Sequence, residues 1–111
     1  MSLLPPPPNL ILLADITLYP TEKGGRSGPL TGESFDCQVW LYEEYRECRI
    51  LLEGVGISPG ETRRYRVHFV TDYNLDGVRQ AGRFELFENR IIGEGVIVQP
   101  QPQRDYPAFF R

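Results

Sequence analysis

GRFELFENRIIGEGVIV, residues 82–98, decides the fold of this chain. In its first half, Phe84 and Leu86 alternate with Glu85 and Phe87, the two-residue period of a pleated strand. Glu88-Asn89-Arg90 reads as a turn, with Asn89 the residue best suited to left-handed backbone. IIGEGVIV then runs apolar, broken by Gly93 and Gly95. Glycines two apart weaken a strand, so they mark a bulge or a close approach by other backbone. Both fall on one face. If that face looks into a small barrel, other backbone or a bulky side chain such as Phe84 must fill the space their missing Cβ atoms leave.

Working outward, each remaining segment repeats the period of two. Residues 10–19, LILLADITLY, form a first strand with Leu12, Ala14, Ile16 and Leu18 toward the core. A long Gly/Pro-rich loop over 20–34 leads to a second strand, 35–42, with Phe35, Cys37, Val39 and Leu41 on one face. Trp40 and Tyr42 share the other. Residues 43–47 read as a charged turn and 48–53 as a third strand. Ser58-Pro59-Gly60-Glu61 is a turn signal, with Pro preset for its second position and Gly for its third. In a fourth strand, 62–71, Tyr65, Val67 and Phe69 point inward while Arg64, Arg66 and His68 point out. Residues 72–81 read as a polar loop.

These pieces predict an all-β domain over 10–99, a small closed six-stranded antiparallel Greek-key barrel. Closure removes the exposed sheet edges that invite aggregation. A proline-rich arm, 1–9, precedes the barrel, and a Pro/Gln and aromatic tail, 100–111, follows it.

Composition narrows the function. At 111 residues the chain is one domain, long enough for a real core. A net charge of -3 argues against general phosphate binding. The basic residues are nearly all Arg, which suits planar, bidentate contacts with carboxylate or phosphate, with solvated strand faces and ion pairs the plainer reading. Two cysteines, Cys37 and Cys48, form no CxxC and have no neighbouring His, so neither a zinc site nor a disulfide scaffold is expected. No apolar run reaches membrane-spanning length and no signal peptide opens the chain, so a cytoplasmic location is expected.

In this order the pieces resemble the C-terminal, third domain of elongation factor Tu and its translational GTPase relatives. Four landmarks carry the resemblance, over residues 12–98. Lys23-Gly24-Gly25-Arg26 and Pro29 stand where the family's first strand runs into K/E-GGR and a proline. FDCQVWLY, 35–42, stands for a PQFYFR-like strand. Pro59-Gly60-Glu61 matches the PGD/PGE turn. Arg83-Phe84, Arg90, Gly93 and Gly95 match the family's RFAIREGGRTVGAGVV ending. In the family this domain helps hold the tRNA T-stem, contacts the GTPase domain and meets exchange-factor partners. The chain departs from it in having no GxxxxGK[ST] and no guanine-reading motif, so GTP binding is not expected. The entrance to the second strand, the hairpin turn and the loop before Arg83 differ as well.

The resemblance and the residues lead to a stand-alone, non-catalytic module that binds a protein partner. The alternative is an accessory RNA-binding domain of the tRNA type. Candidate binding residues are Lys23, Gly24, Gly25, Arg26 and Arg90, which offer backbone N–H groups and cations to phosphate, and Trp40 and Tyr42, which offer rings. No acid, base and nucleophile stand at motif spacing, so no catalytic set and no cofactor are expected. Asp72-x-Asn74-x-Asp76-Gly77 matches the first half of a calcium loop, but Arg83 stands where the bidentate Glu belongs, so no metal is expected. His68 is alone and reads as a surface or satisfied histidine.

Overall fold

The computed structural model describes residues 11–70 and 75–101. Its six strands are β1 (Ile11–Leu18), β2 (Ser34–Leu41), β3 (Glu44–Leu51), β4 (Thr62–Phe69), β5 (Arg83–Phe87) and β6 (Ile91–Ile97). One short helix, α1 (Leu75–Ala81), joins β4 to β5. All strand pairs are antiparallel, and the order β1-β4-β3-β2-β5-β6 closes into a barrel through β6 and β1. β2, β3 and β4 form a meander and β1 lies beside β4, which is a Greek key.

Alternation places the core as expected. Leu12, Ala14, Ile16 and Leu18 of β1 are buried, and so are Val39 and Leu41 of β2, Tyr65, Val67 and Phe69 of β4, and Phe84 and Leu86 of β5. Burying each large apolar side chain stabilises the barrel by roughly 1.5–3 kcal/mol. Phe84 meets Phe69 edge to face, with ring centroids 5.7 Å apart. The β5–β6 register shifts at Leu86/Phe87, so Phe87 pairs with Ile91 and Leu86 with Gly93. This bulge turns Ile92 inward beside Gly93, and both are buried. Asn89 takes the left-handed backbone expected of it, with φ 64°.

The organising glycines lie at close approaches. A Cβ on Gly95 would stand 2.3 Å from the Phe84 ring, and one on Gly93 would stand 2.2 Å from the carbonyl oxygen of Thr17. Bulky ring and neighbouring backbone thus each fill one of the two spaces. At Ser58-Pro59-Gly60-Glu61, Gly60 has φ 92° and the Glu61 N–H donates to the Ser58 carbonyl at 3.0 Å, a type II turn.

Two segments differ from expectation. The β2–β3 turn is Tyr42-Glu43 alone, and β3 begins at Glu44, so most of the expected charged turn is strand. Tyr42 and Glu43 both have positive φ, 53° and 61°, as a two-residue turn matching the strand twist requires. Neither is the Asn or Gly that usually announces such a turn. The expected polar loop over 72–81 contains α1, which buries Leu75 and Val78 against the barrel.

The two barrel ends differ. At one end lie the β5–β6 turn and the loops of residues 19–33 and 52–61, these two loops tied together by the Leu30–Ile57 bridge. At the other lie α1, the Tyr42-Glu43 turn, and the points where the described chain begins and ends. Gln101 is fastened there: its side-chain amide accepts from the Leu13 N–H at 2.7 Å and donates to the Leu13 and Val98 carbonyls.

Candidate functional site

Lys23-Gly24-Gly25-Arg26 and Arg90 do come together, at the loop end of the barrel. A short 3-10 turn, Thr21–Lys23, ends in left-handed Gly24. The N–H groups of Lys23 and Gly25 donate to Pro20, and that of Gly24 to Thr21. Gly25 lies against the Tyr19 carbonyl, where a Cβ would stand 2.0 Å away. Arg90 donates through Nε and Nη2 to the carbonyls of Gly24 and Gly25, each at 2.8 Å. Arg26 donates to Glu88 at 2.8 Å and to the carbonyls of Gly28 and Pro29, and its guanidinium stacks 5.4 Å from the Phe35 ring centroid.

This is a clasp that fastens the β1–β2 loop to the β5–β6 turn. A phosphate would need free N–H groups and free cations. The three N–H groups are used inside the loop, and both guanidiniums are turned onto protein acceptors. Lys23 is exposed and, among the described residues, is the one cation of the group without such a partner.

The same holds for the other arginines among the described residues. Arg64 grips Asp15 at 2.8 and 3.2 Å, and Arg49 grips Asp36 at 2.6 and 3.3 Å. Arg83 pairs with Glu94, Arg66 with Glu53, Arg63 with Glu61, Arg46 with Glu44 and Arg79 with Asp76. The Arg64 guanidinium holds the Asp15 carboxyl below its ordinary range. Exposed pairs of this kind add little stability each, but among the described residues they leave few free cations for a polyanion.

Trp40 and Tyr42 belong to a different place, toward the helix end. Tyr42 sits in the tight turn and is 60% exposed. Trp40 stays on the outer face of β2, directly opposite Tyr45 of β3. The Tyr45 ring lies 4.6 Å from Trp40 and 4.8 Å from Phe87 of β5, tilted about 50° to each. Three rings therefore form a strip across β3, β2 and β5, with the central Tyr45 51% exposed. Exposed Glu43, Glu47 and Glu85 stand on the same strands and turn. Tyr45 and Phe87 escaped the sequence reading because a five-residue charged turn hid the register that sets Tyr45 opposite Trp40. The signal available was the alternation of Tyr45 and Glu47 with Arg46 and Cys48.

Asp76 and Gly77 stand in α1, and Asp76 pairs with Arg79 at 3.5 Å; Asp72 and Asn74 lie outside the described residues. Among the described residues no group of His, Cys, Asp and Glu is arranged to hold a metal ion, and no helix is long and apolar enough to cross a membrane. His68 lies half-buried between Ile11 of β1 and Arg49 of β3, and neither ring nitrogen has a hydrogen-bond partner among the described residues. Desolvation first, then the Arg49 charge, lower its pKa. No protein-family model and no curated protein matches the chain.

Proposed function

We propose that this chain is a non-catalytic, cytoplasmic interaction module that docks a protein partner through the Trp40–Tyr45–Phe87 strip and Tyr42. The observation that carries the reading is the strip itself. Rings lie together on an outer face, Tyr45 and Tyr42 well exposed, where Arg49 is paired with Asp36 and where Glu43, Glu47 and Glu85 are exposed among the described residues. Tyrosine and tryptophan supply contact area at little entropic cost, and they concentrate where proteins bind proteins. The surrounding carboxylates favour a partner segment carrying Lys or Arg and disfavour a phosphate backbone.

A kinship with the third domain of elongation factor Tu belongs to the same proposal. Its supports are the six-stranded Greek-key closure and the clasp, in which Arg26 and Arg90 stand where the resemblance sets the GGR arginine and the turn arginine. The clasp gives those residues a structural use, which weighs against carrying over a tRNA-holding role with them.

The test is capture from native cytosol with the wild-type chain and a Tyr42→Ser/Tyr45→Ser variant, read for protein and RNA together. A protein captured by the wild type and lost with the variant is expected, with retention that falls far less steeply with salt than a phosphate-backbone contact does. Capture that survives the variant, or RNA whose retention falls steeply with salt, refutes the reading.

A further inference from the structure

Cys37 of β2 and Cys48 of β3 are directly opposed, and their sulfurs lie 3.4 Å apart. Both are free thiols on the inner face of the barrel. They differ in access. Cys48 is 1% exposed, within the core. Cys37 is half-buried, because β5 pairs with β2 only from Gln38 to Trp40. Residues 34–37 of β2 therefore have no strand on that side among the described residues.

We propose that Cys37 and Cys48 are a redox modification site, closed to an intramolecular disulfide by a low-molecular-weight disulfide oxidant. The geometry assigns the roles. Cys37, the accessible thiol, loses its proton and its thiolate attacks one sulfur of the oxidant. A Cys37–oxidant bond forms, the oxidant's own S–S bond breaks, and one small thiolate leaves and takes up a proton. Cys48, already beside the Cys37 sulfur, then loses its proton and attacks it. The mixed disulfide breaks, the second small thiolate leaves and is protonated, and the Cys37–Cys48 bond remains. The two protein thiols have lost two electrons, and one oxidant disulfide has become two thiols.

Closure requires little movement. The sulfurs approach by about 1.4 Å to reach a bond length of about 2.05 Å. Counting from the two-residue turn, in which Leu41 and Glu44 close the ladder, Cys37 and Cys48 fall at a hydrogen-bonded pair. Such pairs hold their Cα atoms about 5.5 Å apart, inside the disulfide range. The contact with Cys37, and then burial, push the Cys48 thiol well up from its ordinary value. The accessible Cys37 is therefore the thiol that reacts first, and both exchanges quicken as pH rises, because each needs a thiolate.

The test treats the reduced full-length chain with oxidised glutathione, then acid-quenches, alkylates and maps it by mass. The expected wild-type product is the intact chain lighter by two hydrogen atoms, with the Cys37 and Cys48 peptides joined and the yield rising with pH. Cys48→Ser is expected to stop at a Cys37–glutathione adduct, and Cys37→Ser to remain unmodified. A urea melt shows that each variant is folded before its result is scored. A wild-type chain that stays reduced, that stops at the glutathione adduct, or that crosslinks only between copies overturns the proposal. So does a Cys37→Ser chain that reacts at Cys48 as fast as the wild type reacts at Cys37.

Discussion

Gly95→Ala adds one carbon where the Phe84 ring already lies. The new Cβ would stand 2.3, 2.5 and 3.0 Å from three ring carbons, all well inside contact distance. The ring is 2% exposed and braced edge to face against Phe69, so it has no free direction in which to swing. Overpacking of this kind costs about 1–3 kcal/mol. Gly93→Ala meets the Thr17 carbonyl oxygen at 2.2 Å, where the obstacle is backbone of the β1–β6 ladder. It is expected at or above the top of the same ~1–3 kcal/mol range. The discriminating experiment is a cycle with Phe84→Leu, read as urea midpoints at constant m. Shortening the ring is expected to relieve Gly95→Ala by roughly 1–2 kcal/mol of coupling and to leave the Gly93→Ala penalty unchanged. A Gly95→Ala variant as stable as the wild type, or one whose penalty is the same with Leu at 84, would refute the argument that this ring occupies the missing Cβ space.

Three further outcomes follow from the same geometry. Arg90→Ala removes charge-assisted bonds to two carbonyls and is expected to lower stability by about 1–2 kcal/mol. Arg90→Lys should not restore it, since an ammonium cannot reproduce the planar fork; urea melts and protease cleavage within 19–33 read both. Val78→Ala hollows the contact between α1 and the barrel and is expected to cost roughly 1–3 kcal/mol by the same melts, whereas Gln80→Ala on the exposed face is neutral. His68 is held below its unfolded value near 6.5, so the unfolded chain binds the proton more readily. Stability is then full above that pH and declines as pH falls below it toward the folded pKa. A thermal-melt series should show this decline diminished in His68→Gln, and an identical pH slope would overturn the assignment.

The sequence by itself determined the strands, their inward faces and the close-packed glycines. These features are local: period two is written in each segment, and Gly93 and Gly95 sit beside large apolar residues whatever lies opposite. The Ser58–Glu61 turn was legible because Pro59 presets, and Gly60 freely permits, the backbone that the turn uses. The Tyr42-Glu43 turn was not, because its left-handed residues carry ordinary side chains and are held by the ladder on either side. α1 escaped because seven residues with Gly77 among them show too little of a 3.6-residue period. Only the tertiary structure decided what the candidate residues do. Arg26 meets Glu88 across 62 residues of chain and Arg90 meets Gly24 across 66, so two arginines that read as phosphate ligands became the fastening of a loop. The β2–β3 register likewise set Tyr45 opposite Trp40 and Cys37 beside Cys48, and the β2–β5 pairing brought Phe87 to Tyr45. Partner choice at such separations depends on strand order and register, and a side chain's own neighbours in sequence carry neither.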